Sequence, residues 1–398
     1  KDASVTLTPA DGFVLKDNEL CKVVAVIGGT GYAALEDAIA AAADGDTVKL
    51  VSDVTVAGKQ LVIDAGKKLT LDLAGKTLKI SQYTAKAAQI DVFGDLTLTD
   101  SVGGGVVCSD YTGTAGLVIC AENGGKLTIA GGTVTTEGMA NAGNTVKAAK
   151  GGTVIVTGGT VKADGKRGNR AVNVAGNATF TMTGGEIIAE PNGSETFIIA
   201  VVGASNSLID ISGGTVSGPE AISAGSSTIS VTGGSFAGKI TVKKGAVSGG
   251  TFDRALPETA CAPGFIPEAK ADGTYGVKEG TYVARVNGVG YETLEDAYAA
   301  AQSGDTITLL ADCSSGRINL EDKSITVVLN GHTLTSTAAY GVMFCAKNGN
   351  TITVDGTAEG SKLVGTLMIT AKTDGHIVIN GGTYENGKYC PIYVNGAV

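Results

Sequence analysis

One phrase keeps returning along the chain: an apolar-alternating stretch, then Gly-Gly, then a small polar residue and an apolar one. It reads Leu127-Thr-Ile-Ala-Gly-Gly-Thr-Val134, Val154-Ile-Val-Thr-Gly-Gly-Thr-Val161, Phe180-Thr-Met-Thr-Gly-Gly-Glu-Ile187, Ile209-Asp-Ile-Ser-Gly-Gly-Thr-Val216, Ile229-Ser-Val-Thr-Gly-Gly-Ser-Phe236 and Gly245-Ala-Val-Ser-Gly-Gly-Thr-Phe252. A late copy stands at Ile377-Val-Ile-Asn-Gly-Gly-Thr-Tyr384. The first members of the earlier pairs are Gly131, Gly158, Gly184, Gly213, Gly233 and Gly249, nearly evenly spaced at first and closer together in the last two steps. Recurrence at such an interval means one supersecondary unit per repeat.

Alternation such as Leu127 and Ile129 against Thr128 and Ala130 sends one set of side chains inward and the other outward on a strand. The Gly pair supplies a corner that residues with a Cβ resist, and Thr-Val resumes the strand in a new direction. One unit alone cannot bury its apolar side, but stacked units can, because each Ile/Val row sits on the next. Intervals this short leave no room for a full helix between strands. The expected fold is therefore all-β, a parallel β-helix rising about 4.8 Å per coil.

Composition agrees. Gly supplies 60 of the 398 residues, about twice the usual share of roughly 7 %. With 43 % hydrophobic and only 17 % charged residues, the composition is not the one that marks a disordered chain. A net charge of −9 speaks against a nucleic-acid surface, and no apolar run is long enough for a transmembrane segment. The opening Lys1-Asp-Ala-Ser-Val5 is not a signal peptide, so export would mean that a leader has been removed. The seven cysteines, Cys21, Cys108, Cys120, Cys261, Cys313, Cys345 and Cys390, form no CxxC pair. Several of them read as small buried hydrophobes on the inward rows, with a Cys345–Cys390 disulfide left open.

Taken in order, residues 1–26 read as the end of a preceding module or a linker. Residues 27–260 read as a first β-helix with a capping helix over 33–43, where Leu35, Ala38, Ile39 and Ala42 share one face. A linker is expected over 261–284, and a second, truncated β-helix over 285–398 with a capping helix over 292–302. The second start copies the first: Tyr32/Tyr291, Leu35/Leu294, Glu36/Glu295, Asp37/Asp296, Gly45/Gly304, Asp46/Asp305, Thr47/Thr306 and Asp53/Asp312 all share one offset. Leu73-Ala-Gly-Lys-Thr-Leu78 then matches Leu329-Asn-Gly-His-Thr-Leu334 at a slightly smaller offset. The chain reads as a slice of a longer tandem array.

A capping helix of the form Leu-Glu-Asp-Ala, then Gly-Asp-Thr-Ile/Val, then Leu-x-Gly-Lys/His-Thr-Leu, then Gly-Gly-Thr coils resembles the pectate-lyase-like superfamily. The connector Gly249-Gly-Thr-Phe252, Pro263-Gly-Phe265 and Asp272-Gly-Thr-Tyr275 resembles the links in large adhesin-like surface proteins of gut bacteria. The resemblance implies a right-handed parallel β-helix in two tandem modules, located extracellularly, on the bacterial cell surface or secreted.

Enzymes of that superfamily carry stacked carboxylates with an Arg or Lys base, a calcium cluster or a catalytic His. The best carboxylate pair in this chain is Asp72 with Asp91, both expected to point outward and to stack on adjacent coils. The basic loop holding Arg167 and Arg170 is the other surface candidate. His332 stands where the first module has Lys76, so imidazole is not repeated, and His376 opens a strand; neither lies beside a nucleophile motif. Gly28-Gly-Thr-Gly31 lacks the Lys and spacing of a phosphate loop and reads as a turn. No cofactor, metal or catalytic residue is assigned. The expected role is adhesion or display, with a glycan or surface protein as partner. A β-helix polysaccharide lyase or glycoside hydrolase is the first alternative, and a purely structural stalk the second.

Overall fold

The computed structural model describes residues 10–81, 88–111, 116–136, 143–165, 168–191, 198–338, 342–372, 374–386 and 391–394. The chain divides into two compact units, Lys1–Lys278 and Glu279–Val398.

The first unit is a parallel β-solenoid whose coils have three sides. The first side stacks Asp46–Leu50, Lys68–Asp72, Asp95–Thr99, Lys126–Ile129, Thr153–Val156, Thr179–Met182, Leu208–Ile211 and Thr228–Val231, all parallel. The second side runs through Val54–Ala57, Thr77–Ser81, Val106–Ser109, Thr133–Thr135, Thr160–Gly165 and Glu186–Pro191. The third runs through Leu61–Ile63, Ile90–Val92, Leu117–Ala121, Asn144–Ala148, Arg170–Val174 and Ile199–Gly203. Inward rows such as Leu71, Leu98, Ile129, Val156, Met182, Ile211 and Val231 are buried and join one continuous core.

In this unit each Gly-Gly pair of the recurring phrase turns the chain from the first side to the second, and its two members serve different needs. At Gly158 a Cβ would stand 2.4 Å from the carbonyl oxygen of Ala130 in the neighbouring coil. Gly159 has φ +67, the left-handed region that side chains with a Cβ resist. The two short steps, from Gly213 to Gly233 and from Gly233 to Gly249, also have a cause. Thr215–Ser223 and Ser235–Thr241 each run unbroken across the second and third sides, bending at register shifts between Ser217 and Ile222 instead of leaving the sheet in a loop.

Helix α1, Leu35–Ala41, buries Leu35, Ala38 and Ile39. A hairpin of Ala25–Ile27 and Thr30–Tyr32 lays an antiparallel strand on the first coil, pairing Ala25 with Leu50. Together they close the exposed end of the core. The helix is shorter than 33–43 because Ala34 is extended and the chain must turn at Gly45, φ +87, to enter its first coil strand. Lys67 Nζ donates to Ala40 O at 2.8 Å and Ala42 O at 2.7 Å, satisfying carbonyls that the helix end leaves open.

Residues read from sequence as linker carry the strands Phe265–Ala269 and Tyr275–Glu279. Cys261 and Ile266 are buried there, and Phe252 pairs antiparallel with Tyr275. Phe252 also stacks on Phe236, with ring centroids 5.0 Å apart.

The second unit repeats the plan, with four parallel strands on each side among the described residues. Thr306–Leu309, Ile325–Val328, Thr351–Gly356 and His376–Gly381 form one side, and Cys313–Ser315, Thr333–Ser336, Lys362–Gly365 and Thr383–Asn386 the next. Ile318–Leu320, Val342–Ala346, Leu367–Ala371 and Ile392–Val394 form the third. Helix α2 is Leu294–Ala300 rather than 292–302, since Thr293 is its extended N-cap and accepts from Asp296 N at 3.1 Å. Lys323 repeats the role of Lys67, donating to Tyr298 O at 2.6 Å and Ala301 O at 2.9 Å. Among the described residues no helix is long and apolar enough to cross a membrane.

Candidate functional site

The acids shared by the two starts hold backbone and side chains. Asp53 accepts from Thr77 N at 2.9 Å and Asp312 from Thr333 N at 2.8 Å, each clamping the next coil. Asp46 accepts from Ala43 N at 2.8 Å and Asp305 from Gln302 N at 2.7 Å, fixing the turn after the helix. Glu36 pairs with Lys59 at 2.6 Å, whereas Glu295 accepts from Ser315 Oγ at 2.8 Å and Gly316 N at 2.7 Å. His332 stands in a turn with Nδ1 3.5 Å from Asp312 Oδ1, and His376 is exposed at the start of its strand.

Asp72 and Asp91 do not form the stacked outward pair that the sequence suggests. Asp72 ends a first-side strand, in register with Lys49 and Thr99, while Asp91 lies on the third side, in register with Val62 and Cys120. Asp72 is moreover only 5 % exposed. The strand stops there and Ala74 turns with φ +48, which folds the carboxylate back onto its neighbours. Oδ1 accepts from Ala74 N at 3.0 Å and Ser101 N at 2.9 Å, and Oδ2 from Ser101 Oγ at 2.7 Å. Burial alone would raise its pKa, but the bonds from Ser101 and Ala74, helped by Lys49, carry it below the ordinary carboxylate value.

A carboxyl pKa lowered on folding adds stability above the unfolded value of about 3.9, and that contribution is lost as pH falls through the folded pKa. Asp72→Ala is therefore expected to cost about 2 kcal/mol at pH 7, by leaving the buried Ala74 N–H without an acceptor and removing both bonds from Ser101. Chemical denaturation should find the wild-type and variant midpoints converging towards pH 2, and equal midpoints at pH 7 would remove the structural role.

Arg170 opens a third-side strand, in register with Asn144 and Ile199, and is half-buried. Arg167 lies outside the described residues. Buried Asn169 accepts from Gly143 N at 2.9 Å and donates to Asp164 O at 2.9 Å.

The third side carries a concavity with ionisable walls. An outward row runs Val62, Asp91, Cys120, Lys147, Asn173 and Val202 on successive coils. Around Asp91, Cys120 and Lys147 lies a hollow of about 420 Å³, also lined by Leu117, Glu122 and Lys150. Asp91 Oδ2 accepts from Gln60 Nε2 at 2.6 Å, and the same nitrogen reaches Ala88 O at 2.7 Å. Burial pushes the Asp91 pKa up, with the charge of Glu122 adding to it against the Gln60 hydrogen bond. Glu122 pairs with Lys150 at 3.0 Å. Burial, and then the charges of Asp91 and Glu122, push the Cys120 thiol up to about 12, so it stays protonated at neutral pH. Cys108, Cys261 and Cys345 are buried as the sequence suggests, Cys21 and Cys313 are partly exposed, and Cys390 lies outside the described residues.

Gln60, Glu122, Lys147 and Lys150 are not singled out by the sequence. The available signal is coil spacing, since Asp91, Cys120 and Lys147 recur at nearly the interval that separates the earlier Gly-Gly pairs. Among the described residues, no group of three or more His, Cys, Asp or Glu residues is arranged to hold a metal ion. No known protein family, curated protein or solved structure matches the chain.

Proposed function

We propose that the chain is a non-catalytic binding segment of a bacterial surface protein, which engages glycan or protein through the third side of its first solenoid. The observation that supports this most directly is the hollow over Asp91, Cys120 and Lys147, with charged walls and an apolar floor. A solenoid presents such a row as an extended lateral surface, suited to a long partner. Export, surface location and membership of a longer multi-module array are part of the same reading and rest on the resemblance to adhesin-like proteins. The lyase or hydrolase alternative loses its best pair of acids, because Asp72 is engaged by backbone and Ser101 on another side.

The test combines a glycan array with capture of purified surface proteins, and a sugar-release assay on polygalacturonate, mucin and glycosaminoglycans. Expected are a ligand lost in Lys147→Glu but kept in Thr128→Lys on the first side, and no release of sugar ends. Release abolished by Asp91→Ala would make the chain an enzyme. Absence of any ligand would leave a stalk.

A further inference from the structure

Resting on the lateral-binding reading, we propose that the hollow over Asp91, Cys120 and Lys147 is a subsite for an acetamido sugar, an N-acetylhexosamine. Its floor is a small apolar cluster separate from the solenoid core, made of Ala88, Leu117, Cys120 and Ala149 with Ala175 packed against it. Its walls are two acids and two lysines, Asp91, Glu122, Lys147 and Lys150. The acid and base next to the turn neutralise each other, with Lys150 Nζ 3.0 Å from Glu122 Oε2. That leaves one acceptor and one donor for a ligand. Asp91 is oriented through Oδ2 by Gln60, and Oδ1 accepts no hydrogen bond among the described residues. Lys147 has no ion pair among the described residues, and its Cα lies two coils from that of Asp91, about 10 Å along the axis.

The charges select the ligand. An anionic sugar meets Asp91, and a free amine meets Lys147, so either suffers repulsion at one wall. An acetamido group carries one N–H for the Asp91 carboxylate, one carbonyl for the Lys147 ammonium, and one methyl for the Ala88, Leu117 and Ala149 floor. It is neutral and leaves neither partner unpaired. A hollow of about 420 Å³ falls within the usual range for small-molecule sites.

The experiment titrates the full chain with methyl N-acetylglucosaminide and methyl N-acetylgalactosaminide, using methyl glucoside and glucosamine as comparators, by saturation-transfer NMR and calorimetry. The expected result is binding of at least one acetamido glycoside at least tenfold tighter than either comparator. Saturation should be strongest at the acetyl methyl. Asp91→Ala and Lys147→Met should each weaken binding at least tenfold, while Asp210→Asn on the first side leaves it unchanged. Lys147→Met keeps the aliphatic stem and carries the test should Asp91→Ala fail to fold. Equal binding of methyl glucoside, preference for glucosamine, or wild-type affinity in Lys147→Met would overturn the proposal. If the array gives third-side ligands without an acetamido preference, this inference fails while the lateral-binding reading stands. If it gives none, both fail.

Discussion

Replacing Gly159 with valine is expected to destabilise the first solenoid by about 4 kcal/mol, among the largest effects of any single change in the chain. Two penalties meet at this position. Gly159 has φ +67, and a β-branched residue held there is strained by about 1–3 kcal/mol. Its Cβ would also stand 2.5 Å from the carbonyl oxygen of Gly132 and 2.8 Å from the carbonyl carbon of Gly131. Those atoms are backbone of the coil beneath, so no side chain can move aside. Gly45 separates the two penalties, since it has φ +87 but open space where a Cβ would go. Gly45→Val should then cost only about 1–3 kcal/mol. Chemical denaturation of both variants checks this, and equal losses would mean that coil-to-coil contact at the corner contributes nothing.

Phe180→Ala is expected to cost about 3–5 kcal/mol. Phe180 is fully buried, in register with Val154 on one side and Ile209 on the other, so its ring fills the axis between two coils. Neither neighbour can collapse into the space without leaving its own ladder. Each coil is stabilised only by its neighbours, and the loss therefore weakens two interfaces at once. Hydrogen exchange should rise first in the coils around Thr179–Met182. A loss below about 1 kcal/mol would contradict a close-packed core at this point.

The architecture was legible because it is written locally. Alternation within Leu127–Ile129 gives the strand, and the Gly pair gives both the corner and the coil interval. What sequence reasoning misplaced lies where a local rule gives way to a contact between coils. Alternation after Leu71 points Asp72 outward, but the strand ends there, and the turn at Ala74 carries the carboxylate to Ser101 in the next coil. The capping helices look longer in sequence because Ala33, Ala34 and Ala42 are good helix formers, while the adjoining hairpin and the turn at Gly45 take those residues instead. The hollow on the third side was invisible for a related reason. Gln60, Asp91, Cys120 and Lys147 come from four coils, and no short motif joins them.

The stacking itself is open to one direct measurement. Spin labels placed at Asp210 and, in turn, at Thr47, Thr70 and Thr97 sample a single outward row of the first side, whose register runs Thr47, Thr70, Thr97, Thr128, Ile155, Thr181, Asp210. With Cys21, Cys313 and Cys390 replaced by serine, pulsed electron resonance should give label-to-label distances that track Cα separations of about 29, 24 and 19 Å, falling by one strand spacing per coil. Separations that do not shorten in equal steps, or that follow the sequence distance instead, would contradict an in-register parallel solenoid.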